Sequence, residues 1–293
     1  MSSPENPQFD SQAPLNVESQ PGLLPDPPSS ALFPPAPSLL TPALEPPRDP
    51  VWNGWDVLLI FLLSFVALIV TQVMVVFGAQ RFFYRREDLE EVGLKPGVLL
   101  LAQLLLYPAV AAMMFLFVEG KYHVRFWQAI RWHWPRAGWR YLGLGALLMF
   151  ALALLQNVLP MPKDTPFDKL FARPRDAYLI ALISVTLAPL IEEILFRGLL
   201  YPVLARRLGV VWGIVFTALP FGLLHMQQYG YAWSAVFIIF LVGVACTAVR
   251  AFTRSVAASF LVHVGYNGTQ MILAIAITHG FRQMEKAGIL WAF

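Results

Sequence analysis

Leu187–Arg207 reads LAPLIEEILFRGLLYPVLARR. The run has the length of a helix that crosses about 30 Å of hydrocarbon, near 20 residues, yet it carries Glu192, Glu193 and Arg197 in its interior. An ionisable group at the centre of a span costs about 2.5–3.5 kcal/mol on insertion scales, so each needs a partner or a task. Glu193 and Arg197 are four residues apart with the acid on the N-terminal side, the better orientation for pairing on one helix face. Glu192 points about 100° away and is left without that partner. One reading makes all three a buried packing network. The other makes Glu193–Arg197 the structural pair and Glu192 a working carboxylate.

The rest of the chain is of the same kind. Hydrophobic residues make up 57% and charged residues 13% of 293, where a soluble domain carries about 25% charge. Mean hydropathy is +0.59. The apolar residues come in long runs, which predicts an all-α polytopic helical bundle with about seven spans. These are about Trp55–Ala79, Gly97–Val118, Trp139–Leu159, Ala177–Ala205, Gly209–Met226, Ala232–Val249 and Ser255–Thr278. Tryptophans and tyrosines near their ends, including the Trp132-His133-Trp134 stretch, read as an aromatic belt.

Net charge is +3 and the pI about 9.1. The basic residues lie between apolar runs, in RFFYRR, RWHWPR and LARRLG, which suits lipid headgroups and topology and argues against nucleic acid. Eleven Lys and Arg fall on one side and ten on the other, so the positive-inside rule assigns no orientation. Cys246 is the single cysteine; it forms no intrachain disulfide, and its place near the far end of its span argues against a nucleophilic thiol.

Residues 1–50 hold 14 of the 24 prolines, six acidic residues and only Arg48 as a base. Such a segment buries too little to offset its ordering entropy and reads as a disordered Pro-rich tail. It has no basic region followed by an apolar one, so no cleavable signal peptide is expected and the first span acts as an anchor. The organisation read from the sequence is the tail 1–50, N-terminal membrane spans 51–176, a core 177–280 and a C-terminal tail 281–293. No internal repeat is visible, which counts against a transporter.

Deep within the spans the ionisable residues are Glu192, Glu193, Arg197, His225 and His263. Asp56 and His279 fall at span ends, where water or headgroups are expected to reach them. Phe221 and His225, and His263 and Asn267, are each four apart and share a face. Singly, each pair reads as core packing or interhelical glue. Depth changes that reading. Measured from the Arg206–Arg207 surface at 1.5 Å per residue, Glu192 lies about 20 Å in and His225 about 24 Å. From Arg254, His263 lies about 13 Å and Asn267 about 20 Å in. Independent packing residues have no reason to share one slab, whereas a site does.

A carboxylate, two imidazoles and an amide suit hydrolysis. Glu192 can serve as general base with His225 sharing the water proton, and His263 and Asn267 can donate to a developing oxyanion. Ser255 and Ser259 read as helix-start or packing residues. No serine or cysteine nucleophile accompanies the histidines. Glu192, His225 and His263 also form a possible zinc set, although no H-E-x-x-H is present.

E-E-x-x-x-R at Glu192–Arg197, F-x-x-x-H at Phe221–His225 and H-x-x-x-N at His263–Asn267, in that order, resemble the CAAX-protease and bacteriocin-processing (CPBP, or Abi) family of intramembrane endopeptidases. The resemblance covers about residues 177–280. It implies Glu192 as catalytic glutamate with His225 helping to activate water, His263 and Asn267 as oxyanion residues, and Glu193, Arg197 and Phe221 in support. It implies a peptide or membrane-protein substrate within the bilayer, no favoured cofactor, and a multi-pass protein, here of a bacterial-type plasma membrane. Two other functions stay open at this point. One is a non-catalytic scaffold or immunity protein of the same fold, which would not require an unpaired Glu192. The other is a proton-coupled carrier, since buried Glu and His also relay protons.

Overall fold

A computed structural model describes residues 49–162, 165–171 and 173–284, and every regular element among them is helical. In chain order these are α1 (Gly54–Phe82), α2 (Leu89–Gly93), α3 (Pro96–Tyr122), α4 (Phe126–Ala129), α5 (Gly138–Gln156), a 3₁₀ turn (Asp168–Phe171), α6 (Pro174–Val185), α7 (Leu187–Glu193), a π turn (Ile194–Leu200), α8 (Tyr201–Leu224), α9 (Trp233–Thr253) and α10 (Val256–Ile277). The proposed tail 1–50, apart from Asp49 and Pro50, and residues 285–293 of the C-terminal tail lie outside the described residues.

Among the described residues, six helices are long and apolar enough to cross a membrane. The difference from about seven spans lies in Pro174–Leu224, which runs through 51 residues without a loop. Its helical geometry fails at Gly209 (φ 82°, ψ 169°), a backbone conformation open mainly to glycine. The chain turns back there, and a Cβ at Gly213 would sit 2.8 Å from the Ala205 Cα. The expected fourth and fifth spans are the two limbs of this hairpin, so the turn costs one residue where a loop was expected.

Outward faces are apolar: Leu58, Leu62, Phe65, Ile69 and Phe77 of α1 are exposed, as lipid-facing residues are. Inward, Val57 and Ile60 of α1 and Val110 and Met114 of α3 pack with Ile191, Ile194 and Leu199 of the α7–π segment. α5 and α10 approach backbone to backbone. A Cβ on Gly265 would collide with the Leu142 carbonyl, and one on Gly145 with Val262 and Tyr266. Small residues permit such contact between membrane helices. It seats His263 and Asn267, which share α10 with Gly265.

Two charged groups are less accessible than their positions suggest. Asp56 is only 3% exposed, because Lys121 and Tyr122 of α3 both bond its carboxylate. It also closes a capping box with Asn53, accepting from the Asn53 N–H at 2.8 Å. Arg250, one turn before Arg254, lies inside α9 and is 4% exposed.

Candidate active site

Two prolines shape the helix that carries both glutamates. Pro189 has no N–H to give the Val185 carbonyl, and its ring crowds that group in α geometry. The helix breaks just there: Thr186 has φ −118° and ψ −75°, and its hydroxyl turns back to the Leu182 carbonyl at 2.6 Å. Pro202 does the same to the Gly198 carbonyl. Here the chain widens instead of breaking. Ile194–Leu200 forms a π turn, and the Tyr201 N–H reaches back five residues to the Phe196 carbonyl. Single π turns inside α-helices are frequent at functional sites. Glu192 and Glu193 thus end a short helix held between two proline-made irregularities.

Glu193 is wholly buried. Oε1 accepts from Arg197 Nη1 at 2.8 Å and from His263 Nδ1 at 2.9 Å. Oε2 accepts from Ser259 Oγ at 2.5 Å. Arg197, equally buried, also donates from Nε to Thr247 Oγ1 (3.2 Å) and from Nη2 to the Gly243 carbonyl (3.0 Å). Its guanidinium lies 4.4 Å from the Phe221 ring centroid. A buried ion pair is tolerable only with additional hydrogen bonds of this kind to both partners. Ser259, which the sequence offers as a helix-start or packing residue, is fully buried and part of this network. Its spacing four before His263 was the available signal. Ser255 does cap α10, accepting from the Ala258 N–H at 3.1 Å.

Glu192 faces the other way. Oε1 lies 3.9 Å from His225 Nε2 and Oε2 3.7 Å from His263 Nε2. Both gaps exceed a hydrogen bond and suit a bridging water. The opposite nitrogen of each ring is already engaged. His225 Nδ1 is 2.8 Å from the Phe221 carbonyl, which can only accept, and His263 Nδ1 meets the Glu193 carboxylate. Each neutral ring therefore keeps its hydrogen on Nδ1 and turns an Nε2 lone pair toward Glu192. Phe221 sets the spacing, with ring centroids 5.0 Å from His225 and 5.8 Å from His263.

Asn267 is placed differently from its partners. Its Nδ2 donates to the Ser184 carbonyl at 2.7 Å, tying α10 to the helix end beside the Thr186 break. The structure thus gathers Glu192, His225, His263, Glu193, Arg197 and Phe221 into one contact set, with Asn267 anchored one helical turn along from His263. Two groups carry no sequence signal: Tyr107 of α3 and Tyr229 of the α8–α9 turn stand within electrostatic reach of Glu192. An apolar cavity of about 220 Å³ opens between α3 and α6–α7, lined by Leu100, Leu104, Leu182, Ile183 and Thr186.

Two sets of residues have the chemistry to meet a metal. Glu193, Cys246 and His263 bring ligating atoms within 4.8 Å of one another. Arg197 and Ser259 already occupy that carboxylate, so a cation there would compete with a guanidinium. Glu192, His225 and His263 are the donor types of a catalytic zinc site, with Glu192 oxygens 3.9 Å from His225 Nε2 and 3.7 Å from His263 Nε2, but among the described residues only the Glu193 set brings three ligating atoms within 4.8 Å of one another.

No curated protein and no solved structure matches this chain. The family model described as type II CAAX prenyl endopeptidase Rce1-like matches residues 174–269, from the first turn of α6 into α10. Glu192–Arg197, Phe221–His225 and His263–Asn267 all fall inside that segment, so the part of the chain that carries the candidate site is similar to the type II CAAX prenyl endopeptidase Rce1-like family.

Proposed function

We propose that Glu192 activates a water molecule for attack on a peptide carbonyl within the membrane. The observation that carries this reading is the meeting of three acceptors, the Glu192 carboxylate and the Nε2 atoms of His225 and His263, across gaps of 3.9 and 3.7 Å. Such a space favours a donor, and water brings two hydrogens. Glu192 takes one proton as the water oxygen bonds to the carbonyl carbon, and the carbonyl electron pair moves onto its oxygen. Collapse of that intermediate expels the amine, which takes the proton back from the Glu192 carboxyl. His263 becomes the oxyanion donor when Nε2 takes up a further proton from solvent before the substrate binds, with Glu193 at Nδ1 beside the resulting imidazolium; in that form the water is held by Glu192 and His225. Asn267 keeps a second amide N–H for the same task. Glu193 and Arg197 hold His263 in place.

The substrate class we infer is a prenylated CAAX-type tail or another membrane-protein tail, cleaved in a bacterial-type plasma membrane. No metal is needed for these steps. The second reading is a zinc enzyme, favoured by the same three acceptors. Zinc held by Glu192, His225 and His263 would supply a water acidic near neutral pH.

The test is cleavage by purified protein in detergent, with a prenylated CAAX-type peptide and a panel of membrane-protein tails. Wild type is compared with Glu192→Gln and His263→Ala, with and without a strong chelator. Loss in both variants with resistance to the chelator is the expected result. Loss on chelation restored by zinc moves the assignment to the second reading. Undiminished cleavage by Glu192→Gln overturns both.

A further inference from the structure

Arg250 is a buried guanidinium with no role in the site. It is 4% exposed, and no carboxylate pairs with it among the described residues. Its Nε donates to the backbone carbonyl of Arg197 at 3.2 Å, and its guanidinium lies 5.7 Å from the Tyr201 ring centroid. The choice of that carbonyl has a covalent reason. In α geometry the Arg197 carbonyl would accept from the Tyr201 N–H, but that N–H is bonded to Phe196. In π geometry the donor would come from residue 202, which is proline and has none. Pro202 thus orphans a carbonyl inside the membrane, where an unsatisfied backbone group is costly, and Arg250 fills the vacancy from another helix. A second group acts on the same turn: Trp52, 1% exposed, donates its Nε1 to the Leu199 carbonyl at 2.9 Å. Trp52 is held in turn by Arg206, which bonds the Pro50 carbonyl at 2.6 Å and the Trp52 carbonyl at 3.2 Å.

We propose that Arg250 and Trp52 are positioning residues that clamp the π turn and so hold Glu192 against His225 and His263. This inference rests on the water-activation reading for its link to rate, though the clamp itself does not. Glu193 immediately precedes the turn and Arg197 lies within it, so a turn that drifts toward α geometry changes their register and rotates Glu192 with them. Small displacements of a catalytic group are enough to cost rate.

The experiment uses full-length protein in detergent and compares Arg250→Met, Arg250→Lys and Trp52→Phe with wild type, per folded molecule counted by size exclusion. Backbone hydrogen exchange over residues 194–201 reads the clamp, and kcat and KM read its consequence. Arg250→Met is expected to speed exchange in this segment about tenfold and to lower kcat about tenfold with KM within about twofold. Arg250→Lys recovers part of both, and Trp52→Phe gives a smaller loss. Repeating Arg250→Met in a Pro202→Ala background supplies the decisive arm. Residue 202 then carries an N–H for the orphaned carbonyl, and the further fall in kcat shrinks to less than about threefold. Equal losses in both backgrounds, or faster exchange with kcat unchanged, overturn the proposal. A wild type that cleaves nothing counts against the water-activation reading alone, since exchange over 194–201 still decides whether the clamp exists.

Discussion

Ser259→Ala removes one hydroxyl and little volume from the centre of the molecule. The Ser259 Oγ lies 2.5 Å from Glu193 Oε2 and 2.8 Å from the Cys246 carbonyl, but a hydroxyl has one hydrogen to give. The shorter contact to an ionised acceptor takes it. Alanine therefore strips Oε2 of its hydrogen bond while Oε1 keeps Arg197 and His263. Hydrogen bonds to charged groups contribute about 1.5–3 kcal/mol, and a buried acceptor left open bears the full cost. The expected loss of stability is about 2 kcal/mol, or roughly 4–8 °C in Tm. Thermal unfolding in detergent, followed by loss of the monodisperse peak, measures it. A cycle with Glu193→Gln should return a coupling of about 1.5 kcal/mol or more if the bond is direct. A Ser259→Ala protein within about 0.5 kcal/mol of wild type would place the hydrogen on the Cys246 carbonyl and refute the inclusion of Ser259 in the Glu193 network.

Gly145→Ala sets a Cβ against the backbone of α10, which cannot move aside as a side chain can. It should destabilise by about 1–3 kcal/mol or more and broaden the unfolding transition, and a neutral Gly145→Ala would overturn the close approach of α5 and α10. Asp56→Asn weakens the contacts with Lys121 and Tyr122 and the capping box at Asn53. It should lower Tm by an amount matching about 1–2 kcal/mol with kcat per folded molecule unchanged, because Asp56 belongs to the end of α1. A fall in kcat at full stability would contradict that separation.

Much of this molecule is legible without coordinates, for reasons of local geometry. Long apolar runs specify membrane helices because hydrocarbon leaves the backbone no other partners. Spacings of four put Phe221 on His225 and His263 one turn from Asn267, since 3.6 residues per turn decides this within an α-helix, and Glu193 meets Arg197 at the same spacing although Arg197 lies in the π turn. Counting residues from the surface places Glu192, His225 and His263 in the interior of their spans, at about 20, 24 and 13 Å.

What faces what across helices is another matter, because it depends on how each helix is rotated and how closely it packs. Packing at Gly145 and Gly265 decides where α10 lies, and only then does His263 stand between two glutamates with Nδ1 on one and Nε2 toward the other. Asn267, counted into the same slab, is anchored to Ser184 because the Thr186 break brings that carbonyl beside α10. Ser259 joins Glu193 only through tertiary packing. Asp56, at a helix end that sequence leaves to water, is buried because α3 lays Lys121 and Tyr122 over it. The prolines at 189 and 202 are visible in the sequence, but whether a membrane proline breaks, kinks or widens its helix depends on which neighbours satisfy the freed carbonyls. Here Arg250, 53 residues away from Arg197 in sequence, is one of them. The chain by itself determined the membrane helices and the residues able to do chemistry; their mutual orientation came from contacts between helices that no local period encodes.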